Sequence, residues 1–156
     1  MGLRENLANE PVRRLNVREP VIGRPGQTVR EVVERMRERE LGCVILVDDV
    51  GKPVGVFNEH MLRSLLALNA DFLADPIEKH MAERFPWVSE DDAVEDVLTA
   101  MQTNNTRFLC VVDGDGKVVG LTGQKGLMEY IAEHFPEQVL VQRVGVSPFP
   151  SSREGA

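Results

Sequence analysis

The residues that could do chemistry in this chain lie in a few glycine-rich stretches and among its scattered histidines and cysteines. Asp113-Gly-Asp-Gly116 has the opening of a calcium loop, but an EF-hand needs further oxygen ligands and a glutamate at its twelfth position. The matching Asp48-Asp49-Val50-Gly51 lacks even that start, so both stretches read as turns. Gly120-Leu-Thr-Gly-Gln-Lys-Gly126 brings glycines and a lysine together without Walker spacing, and neither Ser nor Thr follows Lys125. His60, His80 and His134 are far apart, and none has a second metal ligand beside it. Cys43 and Cys110 sit in apolar runs and read as buried free thiols of a cytoplasmic protein. No nucleophile elbow or clustered acid–base set is present, so an enzyme is not expected unless the tail completes a site.

The elements that would position these residues come in two copies. Residues 110–121 read as strand, tight turn, strand, because Asp and Gly tolerate the positive φ of a short hairpin. Residues 45–56 repeat them: Asp48 and Asp113, Gly51 and Gly116, Lys52 and Lys117, Gly55 and Gly120 are each 65 residues apart. Pro11 to Leu15 and Pro76 to His80 keep the same offset and mark where each copy begins. Pro20 to Gly23 predicts a short strand. Thr28 with Glu31 predicts a capping box, and Val29, Val32, Val33 and Met36 predict one apolar helical stripe, stopped by Gly42. Cys43 to Val47 and Val54 to Phe57 form the first hairpin, and Met61 to Leu68 begins a strongly apolar helix.

The second copy restates this order with a strand at Pro86 to Val88, a helical stripe at Val94, Val97, Leu98 and Met101, a hairpin over 108–121 and a helix over Leu127 to His134. Ala93 stands opposite Thr28 and cannot cap, so Asp92 with Glu95 is expected to do so one residue earlier. Residues 1–10 read as a loose arm or a single turn. The organisation is then an arm at 1–10, repeats at 11–70 and 71–136, and a segment at 137–156 whose apolar part, Val139 to Val146, could form a strand. Each repeat reads strand, helix, strand, strand, helix, an α+β unit of about 60 residues too small to bury a full core alone, so the two should pack together.

Composition sets the bounds. The chain has 156 residues, 42% of them hydrophobic, which is enough for a core. A net charge of −7 argues against nucleic acid as the main partner, since phosphate binding needs a basic face. No apolar run approaches the roughly 18 residues of a membrane span, so no membrane insertion is expected.

The repeated unit resembles the CBS domain, named after cystathionine beta-synthase. The resemblance rests on the helix stripes ending in Met36 and Met101, the Val47-Asp48 and Val112-Asp113 strand ends, and the turn-to-strand runs into Gly55 and Gly120. It covers roughly residues 11–135 and implies a Bateman module, two copies packed sheet to sheet about a pseudo-twofold axis. It also implies a homodimer built through the helices at 61–70 and 127–134. Members of this family sense AMP, ATP or S-adenosylmethionine between the copies and regulate an attached or separate enzyme, channel or transporter.

The family's adenosine site places a Ser or Thr just after the third strand and an Asp three residues later, whose carboxylate accepts from both ribose hydroxyls. Asn58 and Met61 occupy those positions in the first copy, Gly123 and Gly126 in the second, so both carboxylates are missing. By the same resemblance, Arg107 and Lys125 would offer charge, Trp87 would stack on an adenine, Leu41 and Gly42 would give apolar and backbone contact, and His60 would reach a phosphate. A solvated or salt-bridged Arg107, a packed Trp87, a turn Lys125 and an exposed His60 are the alternatives. If Gly123 and Gly126 are positions where side chains were lost, Gly123→Thr with Gly126→Asp should restore AMP binding. Two functions follow: a stand-alone sensor with weak or atypical adenosine binding, or a ligand-free dimeric scaffold.

Overall fold

The computed structural model describes residues 2–68 and 71–135; the apolar stretch Val139 to Val146 lies outside them. Each copy builds a three-stranded sheet. In the first, β1 (Val21–Gly23) runs parallel to β2 (Cys43–Val47), which is antiparallel to β3 (Pro53–Asn58). In the second, β4 (Trp87–Ser89) runs parallel to β5 (Phe108–Val112), which is antiparallel to β6 (Val118–Gly123). Among the described residues five α-helices complete the fold: α1 (Leu3–Asn9), α2 (Val29–Arg39), α3 (Glu59–Ala67), α4 (Val94–Asn104) and α5 (Gln124–His134), with short 3-10 turns at Val12–Arg14 and Ile77–Lys79. The α+β architecture and the internal repeat are those expected from the sequence.

Both hairpins close through the aspartates. Asp48 Oδ1 accepts from the backbone N–H of Val50 (3.0 Å) and Lys52 (2.9 Å), and Asp113 Oδ1 does the same for Asp115 (2.9 Å) and Lys117 (3.0 Å). Gly51 and Gly116 supply the positive φ, +89° and +82°. The first apolar stripe buries Val29, Val32 and Met36 against Val44, Leu46 and Phe57; Val94 and Val97 bury against Leu109 and Val111 in the second. The two sheets then pack face to face through Ile45, Val47, Cys110, Val112 and Leu121.

Three local expectations are corrected. Residues 3–9 form α1, a seven-residue helix, rather than a loose arm or a single turn, because Leu7 has the second core to pack against. Gly42 does not stop α2: Glu40 turns left-handed at φ 53°, and Asn105 does so at the matching place after α4. Asp92 and Glu95 do not cap α4. Its N-cap is Ala93, whose N–H donates to Asp96 (3.1 Å), while Asp92 accepts from Ser89 (2.8 Å). Of the apolar residues on and after α3, Phe72 is buried and Leu62, Leu65 and Leu73 pack on the first core, while Leu66 and Leu68 are exposed.

The segments that connect the repeats are exchanged. Val12 and Leu15, which begin the first copy, are buried in the second core; Phe72 and Ile77, which begin the second, are buried in the first. Backbone bonds hold the exchange: Val29 N–H donates to Asp75 (2.9 Å), and Val94 N–H to Glu10 (2.8 Å), so each leading segment receives the first free N–H of the other copy's helix. Arg18 then pairs with Leu121 on the edge of β6, and Ala82 pairs with Val56 on the edge of β3.

Candidate functional site

The face-to-face sheets leave a cleft between the repeats with a volume of about 260 Å³. The end of β3 and the start of α3 form one wall, which holds Asn58 and Met61. The segment leading into β4 crosses from the first sheet edge to the second sheet and contributes Arg84, Phe85 and Pro86. The end of α4 and the turn after it contribute Asn104, Asn105 and Thr106. Apolar side chains of both sheets, among them Ile45 and Leu121, form the floor together with Cys43 and Cys110.

The chemistry of this cleft follows from its hydrogen bonds. The first turn of α3 needs an acceptor, and Asn58 Oδ1 accepts from Met61 N–H at 2.9 Å. That fixes the amide and leaves Nδ2 as a donor. Asn104 donates to the Ala100 carbonyl (2.8 Å), and Thr106 Oγ donates to the Phe108 carbonyl (3.1 Å). Arg84 is the cation of the lining, and no Asp or Glu is among its residues. Burial pushes the Cys43 thiol up to about 11; burial, with the nearby Cys43 adding to it, pushes Cys110 up to about 12. Both thiols stay protonated at neutral pH and are poor nucleophiles.

A second, far smaller cleft of about 30 Å³ lies at the start of α5, where Gly123 and Gly126 stand in place of Asn58 and Met61. Arg18, Arg107 and Lys125 border it. Gly123 is extended (φ 168°), which any residue adopts, yet a Cβ there would overlap the Arg107 carbonyl oxygen. A Cβ on Gly126 would come within 2.9 Å of Thr122 Oγ, a buried hydroxyl with no hydrogen-bond partner among the described residues. An added side chain at either glycine therefore meets atoms already in place, and Gly123→Thr with Gly126→Asp would have to displace them before it could rebuild a site.

The structure thus divides the residues expected from the sequence. Asn58 lines the first cleft; Arg107, Gly123 and Lys125 line the second. Trp87 is 57% exposed on β4 and lines neither. Leu41 borders a separate surface groove with Met36 and Leu62, Gly42 packs against the Glu59 side chain, and His60 is exposed on the first turn of α3. Sequence reasoning missed Arg84 and the Asn104 to Thr106 turn. The available signal was the turn chemistry of Asn104-Asn105 at a helix end and the position of Arg84 just before a short strand.

Comparison with known proteins fits this geometry. The chain is 31% identical over 104 residues to an uncharacterized 17.7 kDa protein of Acidianus ambivalens, a match covering 67% of this chain and 62% of that one. It is 26% identical over 113 residues to an uncharacterized protein of Methanopyrus kandleri, covering 72% and 58%. The chain thus spans about three fifths of the length of these relatives. Among solved structures, a CBS domain pair in complex with 5′-methylthioadenosine and S-adenosyl-L-methionine superposes with a TM-score of 0.69 at 22% identity, over 79% of this chain and 96% of that one. A CBS domain protein from Pyrobaculum aerophilum complexed with AMP gives 0.69 at 23% identity, over 86% and 98%. The CBS domain profile matches twice, at residues 12–68 and 77–133. The chain belongs to the CBS domain family, as a tandem pair.

Proposed function

We propose that this chain is a regulatory module in which the cleft beside Asn58 takes an adenosine compound, AMP, ATP or S-adenosylmethionine, weakly or atypically, and that occupancy is signalled to a partner protein such as a separate enzyme or transporter. The observation that carries this is the open cleft of about 260 Å³ lined by both repeats, just below the roughly 300–1,000 Å³ of small-molecule sites. Related pairs solved with adenosine compounds support the ligand class. Weak binding follows from Met61, whose thioether is a far weaker acceptor for ribose hydroxyls than a carboxylate. The two repeats, 11–70 and 71–136, act as one unit because each cleft is lined by residues of both. Leu66, Leu68 and Met128, 60%, 74% and 63% exposed, support assembly as a homodimer through α3 and α5. Light scattering of a dimer at micromolar concentration is the expected result, and a clean monomer would remove that part.

The near-closure of the second cleft favours a second reading, a scaffold that keeps the fold and has lost its ligand. Thermal unfolding of the full chain with AMP, ATP, GTP and S-adenosylmethionine separates the two. A ligand at ten times its dissociation constant stabilises by about 1.4 kcal/mol, a rise of roughly 3–6 °C for a chain of this size. No rise with any of them would leave the scaffold.

A further inference from the structure

The first cleft offers donors and lacks negative charge. Arg84 is exposed and makes no ion pair among the described residues, whose pairs are Arg13–Asp91, Arg14–Glu10, Arg39–Glu19 and His80–Asp75. The Asn58 amide has its oxygen held by the helix cap, and its Nδ2 makes no hydrogen bond among the described residues. Among those residues no carboxylate lines the cavity to receive hydroxyl protons or to balance a cation, and most of the remaining lining is apolar. A ligand that brings its own positive charge meets Arg84 with no carboxylate in the lining to offset the repulsion.

We infer that this cleft selects its ligand through an anionic group held on Arg84 and the Asn58 amide, and not through the ribose hydroxyls. Arg84 is then the specificity-determining residue. The cleft takes phosphorylated adenosine compounds whether or not they carry 2′- and 3′-hydroxyls, and it discriminates against neutral adenosine and against the sulfonium cation S-adenosylmethionine. The inference rests on the proposal that the cleft is a ligand site, and deepens it by naming what is read there.

Calorimetric titration of the full chain with AMP, 2′,3′-dideoxy-AMP, adenosine and S-adenosylmethionine tests it. AMP and its dideoxy form should bind within about threefold of each other, because no carboxylate among the lining residues described accepts from both ribose hydroxyls. Adenosine and S-adenosylmethionine should be weaker by about tenfold or more, the scale of one hydrogen bond to a charged group. Arg84→Gln should bring AMP down to the level of adenosine and leave adenosine unchanged. Asn58→Asp keeps an acceptor for Met61 N–H, so folding is retained, but puts a carboxylate where a donor stood and should also weaken AMP. Because Arg84 is exposed, AMP affinity should fall as salt shortens the screening length from about 30 Å to about 3 Å.

An AMP affinity unchanged in Arg84→Gln, a dideoxy form at least tenfold weaker than AMP, or S-adenosylmethionine binding as tightly as AMP would each overturn the inference and leave the cleft standing as a ligand site. Absence of binding by all four compounds would remove the ligand site itself, and the inference with it.

Discussion

Gly123→Ala isolates a steric requirement from a conformational one. The backbone at Gly123 is extended, so alanine has no φ penalty there, and the whole cost must come from the new methyl group. That methyl would overlap the Arg107 carbonyl oxygen and sit 3.0 Å from its carbonyl carbon and 3.3 Å from Phe108 Cα. All three atoms are backbone, which cannot swing aside as a side-chain tip can. Relief requires β5 to move away from β6 where Phe108 pairs with Gly123, and it stretches the Gln124 N–H to Arg107 bond, already 3.3 Å. Overpacking costs about 1–3 kcal/mol, and a weakened hydrogen bond adds roughly 0.5–1.5 kcal/mol. A loss of about 2–4 kcal/mol corresponds to a fall of roughly 4–16 °C in Tm. Gly26→Ala is the control: its φ is +97°, and nothing lies within 4 Å of an added Cβ, so only the backbone term of about 1 kcal/mol applies. Urea and thermal unfolding followed by circular dichroism measure both variants. A loss at Gly123 no larger than that at Gly26 would refute the packing argument and reopen the view that this glycine merely replaced a larger residue.

Met61→Asp places an acceptor in the first cleft, on the first turn of α3, where the helix dipole favours negative charge. AMP should bind about tenfold more tightly and 2′,3′-dideoxy-AMP should not, as read by calorimetry. Thr122→Val removes a buried hydroxyl that has no partner among the described residues, so stability should rise by about 1 kcal/mol in urea unfolding. The thiols predict an alkaline limb. Cys43 and Cys110 stay protonated in the fold up to about 11 and about 12, while the unfolded chain releases those protons from about 9 upward. The unfolded state then binds fewer protons than the folded one, so stability should fall as pH rises through that window, and the double variant Cys43→Ala, Cys110→Ala should flatten the slope.

What could be read in the sequence was local and periodic. Thr28 with Glu31 forms the expected capping box, with Thr28 N–H to Glu31 at 2.9 Å and Glu31 N–H to Thr28 Oγ at 3.2 Å, because both partners lie within one turn. The hairpins follow from Asp, Gly and Lys at fixed spacing, and the helical stripes from their period. Long-range choices were illegible. Nothing in Val12 or Leu15 states that they pack on the sheet of the other copy, since either core would accept them. The same holds for Arg84: its charge is visible in the sequence, but its place in the cleft depends on a crossover that only the paired sheets define. At Gly123 a sequence alignment sees a lost side chain, whereas the Arg107 backbone is what excludes one.

The duplication should give two equivalent clefts, and four substitutions at matching positions explain why it does not. Asn58 fills the N-cap of α3 and holds the end of β3 with a side chain, whereas Gly123 has none, and α5 starts without a side-chain cap. Gly42 and Arg107 both accept, through their carbonyl groups, the first helical N–H, at 3.0 and 3.3 Å. Only at Gly123, however, is the facing residue small enough for the incoming backbone to close against it. Met61 lines an open wall, while Gly126 lies against the Thr122 hydroxyl. At the sheet edges, Met81 lies over Gly55 and the branched Val17 over Gly120, so the strap beside the second cleft is the stiffer of the two. The second cleft, with these glycines in its lining, has a volume of about 30 Å³ against about 260 Å³ for the first. Under the proposed function the duplicated chain therefore offers one usable cleft, and titration with AMP should saturate at one ligand per chain; two per chain would mean that the second cleft opens by at least the volume separating about 30 from about 260 Å³.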